Sequence, residues 1–211
     1  MKKTLWAFGD SHTAGHGCTP WFEYYKQWYK EGDGIWTEHL ANTLNLNPIN
    51  RGRGGSSNDM ILDKIIDSFS EIKKGDVVII GKTYSHRFDV PHIYTKELLA
   101  VFWDWEEHAP NELISQFTKE EKEIIINFQY GFMLSPLFDE RWDKRYEWIK
   151  GLLEAKGCKC IVWDVLKELK GMETIHKGTK GKIVDYHMSF KGHKDFSIHI
   201  WNKWFRDKTV L

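Results

Sequence analysis

The chain has 211 residues, 41% of them hydrophobic, which is enough for one domain with a sizeable core. Thirty basic residues cancel thirty acidic ones, which excludes a global field that would draw in nucleic acid or an anionic membrane surface. Three cysteines form neither a disulfide framework nor a zinc spacing, so a reducing compartment and a cytoplasmic or intracellular location are expected.

Met1-Lys2-Lys3 precedes an apolar stretch that stops at Gly9-Asp10. A secretory core needs roughly 7 to 15 apolar residues and a membrane helix about 20, so the reading is a soluble protein that keeps its first residues. Leu5 to Phe8 is instead the first β-strand, ending at Gly9-Asp10-Ser11. Trp21, Phe22, Tyr24, Tyr25, Trp28 and Tyr29 then crowd one short segment. Such a cluster suits either the core face of an amphipathic helix or a pocket that stacks on sugar rings.

Ile35, Leu40 and Leu44 share a helical face that ends by Asn45 to Pro48, and Ile49-Asn50 opens a short second strand. Ser57 or Asn58 can cap the next helix, in which Ile61, Leu62, Ile65, Ile66 and Phe69 recur with a helical period. Lys73-Lys74-Gly75-Asp76 turns the chain into Val77 to Ile80, an apolar, β-branched run expected at the centre of the sheet. From Phe88 to about Leu134, where Pro91 and Pro110 interrupt the pattern, a mainly helical insertion that caps the site is expected. Arg141 to Lys156 reads as a helix with Trp142, Tyr146, Ile149, Leu152 and Leu153 on its inner side. Cys160 to Trp163 is the next buried strand. Lys191 to Phe205 is the last helix, with Phe196, Ile200, Trp204 and Phe205 inward. Strand-length runs alternating with helical patterns predict an α/β domain with a central parallel sheet.

Ser11 falls where the first strand hands over to a helix, and in open parallel sheets ligands bind outside the carboxyl ends of the strands. Asp185-Tyr186-His187 lies just before the last helix; in an extended segment residues two apart point to one side, so Asp185 and His187 can approach Ser11 together. A serine hydroxyl is barely ionised at neutral pH and needs such an imidazole to take its proton, with a carboxylate to hold the ring. His193 is a second candidate base, with packing at the start of the last helix as its alternative role. His12 and His16, four apart, have metal-ligand spacing, but apart from Cys18 no third ligand accompanies them at a persuasive spacing, and no metal or other cofactor is expected.

Phe8-Gly9-Asp10-Ser11, Asn50-Arg51-Gly52-Arg53-Gly54-Gly55-Ser56-Ser57-Asn58 and Asp185-Tyr186-His187 resemble three of the sequence blocks of the SGNH (GDSL-type) hydrolase family. The resemblance implies a flavodoxin-like three-layer α/β/α sandwich and removal of acyl groups from esters. It assigns Ser11 as nucleophile, His187 as general base and Asp185 as the acid that orients it. Backbone N–H groups of Ser11 and of Gly55, with Gly54 as the alternative, would meet the oxyanion.

The remaining block departs from the pattern. Relatives carry Gly-x-Asn-Asp after the central strand, the Asn donating to the oxyanion, whereas this chain has Gly81-Lys82-Thr83-Tyr84. Thr83 stands at the Asn position, and its hydroxyl is the expected donor, with Ser85, Asn58 or a moved backbone amide as substitutes. Variant SGNH-like proteins, viral ones among them, have Thr or Ser here followed by Arg, a pattern that Arg87 fits. His12, Asn58, Ser85 and Arg87 are the candidate substrate contacts. The expected substrate is a small-molecule or carbohydrate ester, with a non-catalytic glycan-binding or structural module, or an O-acyltransferase, as the alternatives.

Overall fold

In the computed structural model the described residues are 2–16, 34–91, 98–101, 117–128, 131, 136–176 and 184–206. The aromatic cluster at 21–29 and Cys18 lie outside them.

Four strands, β1 (Thr4–Phe8), β2 (Asn47–Asn50), β3 (Val77–Lys82) and β6 (Lys159–Asp164), form one sheet in the order β2-β1-β3-β6. Every pairing is parallel, with Leu5 opposite Val77 and Val77 opposite Lys159. This is the strand order of flavodoxin-like sheets, whose switch point lies between β1 and β3. Apolar runs such as Val77 to Ile80 carry no visible alternation, because both faces of a parallel sheet are covered. The side chains nonetheless divide by parity. Leu5, Ala7, Val77 and Ile79 face one core, and Trp6, Phe8, Val78 and Ile80 face the other.

The first core is closed by α2 (Trp36–Leu44) and α7 (Phe190–Trp204) through Trp36, Leu40, Phe196 and Ile200. The second is closed by α3 (Asn58–Ser68) and α5 (Pro136–Ala155) through Ile61, Ile65, Trp142, Tyr146, Ile149 and Leu153. The fold is thus a three-layer α/β/α sandwich around a parallel sheet. Ser57 caps α3 by accepting from Met60 N–H at 3.1 Å, and Ser189 caps α7 through Gly192 N–H at 3.1 Å.

Several boundaries differ from the sequence reading. Ile49-Asn50 ends β2 rather than opening it, and α5 starts at Pro136. Leu152 is 39% exposed, because the buried stripe of α5 runs through 142, 146, 149 and 153, one position away from it. Ile66 is exposed for the same reason on α3. The stretch expected to be mainly helical also contains strands: β4 (Phe88–Pro91) pairs antiparallel with β5 (Leu98–Val101), followed by α4 (Lys119–Phe128). Pro91 is compatible with β4 because a two-stranded ribbon leaves a strand edge without a ladder partner.

At the carboxyl ends of β3 and β6, Lys82 is buried with its Nζ 2.7 Å from Asp143 on α5 and 3.1 Å from Asp164. Burial alone would lower its pKa, but the two carboxylates outweigh that and raise it, so the ammonium stays charged. Cys158 and Cys160 are buried free thiols, and burial pushes Cys160 up to about 12, which makes it unreactive at neutral pH. Among the described residues no helix is long and apolar enough to cross a membrane.

Candidate active site

The turn after β1 carries the candidate nucleophile. Gly9 is required there because a Cβ would lie 2.1 Å from the Thr13 hydroxyl and 3.3 Å from the Gly81 carbonyl oxygen. Ser11 opens α1 (Ser11–Ala14), a single helical turn, and is 7% exposed. Asp10 caps this turn, its Oδ1 accepting from His12 N–H at 3.0 Å.

The chain returns to Ser11 through β7 (Thr174–His176) and β8 (Val184–Met188), an antiparallel pair whose second strand packs beside α1. His187 on β8 thereby comes into ring contact with both histidines of the nucleophile turn, at 5.0 Å from His12 and 4.5 Å from His16. The Asp185 backbone belongs to β8, but its side chain lies outside the described residues.

The loop after β2 also runs beside the nucleophile turn, Arg53 N–H donating to the Gly9 carbonyl. A Cβ at Gly54 would lie 3.9 Å from Ser11 Cβ and 3.9 Å from His16 Nδ1, so this glycine borders the nucleophile. Gly55 has φ 72°, a left-handed conformation that a side chain would strain, and it follows directly in the same loop. Both remain candidates for the oxyanion amide.

Thr83 differs from its expected role. Its hydroxyl is buried and donates to Asp10 Oδ2 at 2.7 Å, while accepting from Arg87 Nη1 at 2.9 Å. A hydroxyl has one proton, and this one is already given to a carboxylate.

Asn58, proposed from sequence as a substrate contact, is also committed elsewhere. It is fully buried, donating to the Thr83 carbonyl at 3.1 Å and the Tyr84 carbonyl at 3.4 Å. Its Oδ1 accepts from Thr83 N–H at 3.0 Å and from Tyr146 Oη at 2.8 Å. Ser85 donates to Asp139 on α5. Arg87 points inward, with Nη1 3.1 Å from Asp10 Oδ2 and 3.3 Å from the Ser56 carbonyl, its guanidinium over the Tyr84 ring.

Asp10 bonds the backbone of the turn, the role its place between Gly9 and Ser11 suggests, and it also anchors Thr83 and Arg87, which the sequence did not foretell. Burial would raise its pKa, but the nearby His12 charge, then Arg87, then hydrogen bonds from Thr83 and His12 N–H reverse the sign, so the carboxyl lies below the ordinary value. It is therefore a buried carboxylate. The only sequence signal was its place between Gly9 and Ser11, which ordinary turns share.

His193 is not a rival base. It is 1% exposed, its Nδ1 accepts from Trp36 N–H at 3.4 Å, and burial, followed by the charges of His12, His39 and His187, depresses its pKa to about 3. Among the described residues no group of three or more His, Cys, Asp or Glu side chains is arranged to hold a metal ion.

No family model matches the chain, and no curated protein matches it. The solved structures to which it is similar include a member of the lipolytic protein G-D-S-L family from Veillonella parvula, at 15% identity, TM-score 0.38, covering 97% of this chain and 99% of that one. A carbohydrate acetylesterase from Sinorhizobium meliloti is similar at 15% identity, TM-score 0.39, covering 96% and 98%. Likeness at this level fixes neither family nor substrate.

Proposed function

We propose that the chain is a serine ester hydrolase of the SGNH type. The observation that carries this reading is the meeting of His187, from near the end of the chain, with the helical turn that begins at Ser11. An imidazole brought to the helical turn that opens with a serine, at the carboxyl end of a parallel sheet, supplies the two residue types that nucleophilic acyl transfer combines.

In this mechanism Ser11 Oγ attacks the ester carbonyl carbon as His187 takes the hydroxyl proton. The tetrahedral oxyanion is met by backbone N–H groups at Ser11 and at Gly55 or Gly54. Collapse breaks the carbon–oxygen bond of the alcohol, which leaves with the proton from His187. Water, deprotonated by the same imidazole, then attacks the acyl-enzyme and releases the carboxylic acid and Ser11. Asp185 has the orienting role, on the grounds of its spacing from His187 in an extended strand. Short acyl esters, with O-acetylated carbohydrates first among them, suit a chain that is 15% aromatic. An acyltransferase would use the same residues with a second alcohol in place of water.

The second reading is a glycan-binding or structural module on the same fold. It is favoured by the Thr83 proton being committed to Asp10, which removes the side-chain donor expected at the oxyanion. A fluorophosphonate probe separates the two. Labelling at Ser11 that disappears in Ser11→Ala and falls in His187→Ala supports the enzyme; a folded protein that resists labelling and binds sugars supports the module.

A further inference from the structure

Asp10 is wholly buried, and an unpaired carboxylate in such a place would be costly. Its two oxygens have different tasks. Oδ1 caps α1 through His12 N–H, and Oδ2 receives the Thr83 hydroxyl at 2.7 Å and Arg87 Nη1 at 3.1 Å. Because the carboxylate is planar and rigid, the groups that hold Oδ2 also set the direction of Oδ1, and with it the turn whose first residue is Ser11.

Arg87 reaches further. The same Nη1 is 3.3 Å from the carbonyl of Ser56, the residue after Gly55, so one guanidinium joins the nucleophile turn to the loop carrying the candidate oxyanion glycines. Tyr84 lies against the guanidinium with its ring centroid 4.9 Å from Cζ, and Asn58 fixes the backbone of Thr83 from both its N–H and its carbonyl. The groups holding Arg87 thus come from the segments after β1, β2 and β3.

We infer that Arg87, Asp10 and Thr83 form one positioning unit that sets Ser11 and the Gly54-Gly55 loop relative to each other, with Thr83 acting through Asp10 rather than on the oxyanion. The catalytic consequence rests on the esterase reading above; the mechanical one does not. On this account the departure from Asn at position 83 moves the loop's contribution from direct contact with the oxyanion to alignment of the backbone donors, and Arg87 supplies the charge that alignment by a buried carboxylate demands.

The test measures amide hydrogen exchange in residues 9–16 and 53–56 together with the rate of Ser11 labelling by a fluorophosphonate and hydrolysis of p-nitrophenyl acetate. In Arg87→Met, exchange in both segments is expected to rise about 10-fold. Labelling and kcat are expected to fall about 100-fold with KM nearly unchanged. Arg87→Lys, which keeps the charge, recovers part of that loss. Thr83→Ser matches the unsubstituted protein, and Thr83→Val shows faster exchange with a smaller loss of labelling, about 10-fold.

Unchanged exchange in a folded Arg87→Met protein overturns the inference. So does a Thr83→Val protein that loses about a hundred- to a thousand-fold in kcat without faster exchange, because that pattern marks a direct oxyanion donor. If Arg87→Met does not fold, exchange in Thr83→Val decides alone, faster in both segments for the inference and unchanged against it. If the unsubstituted protein neither labels nor hydrolyses esters, the esterase reading fails, and the exchange measurements still decide whether the unit positions the two segments.

Discussion

Tyr146 donates its phenolic hydrogen to Asn58 Oδ1 at 2.8 Å, joining the middle of α5 to the first residue of α3 beneath the candidate site. Both side chains are buried, and burial raises the Tyr146 pKa well above its ordinary value, so the phenol stays a neutral donor. Asn58 in turn holds Thr83, so packing of the second core reaches the loop beside Asp10.

This relationship separates two variants. Tyr146→Phe removes one donor while Asn58 Oδ1 keeps its bond from Thr83 N–H, a loss of about 1 kcal/mol. Asn58→Leu strands the buried N–H and carbonyl of Thr83 and the Tyr146 hydroxyl at once, and should cost roughly 3 kcal/mol or more. Urea denaturation of the two proteins checks the order; equal losses would show that Asn58 does not have the strut role.

His193 predicts an acid-sensitive stability. Its folded pKa of about 3 lies below the unfolded value of 6.5, so between those values the unfolded chain binds the extra proton and stability falls as pH falls. The slope attributable to this group approaches about 1.4 kcal/mol per pH unit and disappears above pH ~6.5. His193→Gln keeps an acceptor for Trp36 N–H without the titration. Its urea midpoint should therefore change less between pH 7 and 4 than that of the unsubstituted protein.

Lys82 is the buried member of an ion cluster that also contains Asp143, 59% exposed, Asp164, 18% exposed, and Lys167, 73% exposed. Asp164 also caps the short helix α6 (Val165–Glu168) through Leu166 N–H at 2.9 Å. Asp164→Ala should therefore cost roughly 2 to 4 kcal/mol, combining a lost cap with a half-compensated buried ammonium. Asp143→Ala also leaves the buried ammonium with one aspartate but removes no cap, and water can take the place of an exposed carboxylate, so it should cost less, about 1 to 2 kcal/mol. Thermal melts of both variants measure the difference.

Gly54→Ala tests where substrate sits. The added methyl would meet Ser11 Cβ and His16 Nδ1 at ordinary contact distance, so thermal stability should change by no more than about 0.5 kcal/mol. The space beside the nucleophile is nevertheless reduced, and labelling of Ser11 by a bulky fluorophosphonate should slow about 10-fold. A variant labelled at the original rate would place the substrate on another side of Ser11.

Ser85→Ala probes a residue that the sequence put at the site and the fold turned toward Asp139. Hydrolysis of p-nitrophenyl acetate should stay within about twofold of the unsubstituted protein, since a surface hydrogen bond is all that is lost. A large fall in kcat would return Ser85 to the site.

The layer architecture was legible because burial leaves a periodic imprint. The apolar run Val77 to Ile80, the stripe Trp142, Tyr146, Ile149 and Leu153, and the Ser57 cap each state a local requirement in local residues. The strands β4 and β5 were not legible, because two paired four-residue strands are too short to show a clear period. Ser11 and His187 stand out as candidates by chemistry and place in the chain, whereas Asn58, Ser85 and Arg87 were expected at the substrate from the family blocks and their variant pattern. Asn58 and Ser85 bond residues distant in the chain, and Arg87 joins Asp10 and Ser56 as well as its near neighbours Thr83 and Tyr84.

Sequence alone determined the α/β class, the turn at Gly9-Asp10-Ser11 and a candidate base just before the last helix, since these depend on residue type, period and order. Tertiary structure alone decided how the polar groups behind the turn are shared. Thr83 has one proton, and whether it faces an oxyanion or Asp10 depends on Arg87 and on the loops that converge there. A hydrogen bond is short-ranged and directional, so its partner is chosen by the final packing of segments distant in the chain, which no local pattern encodes.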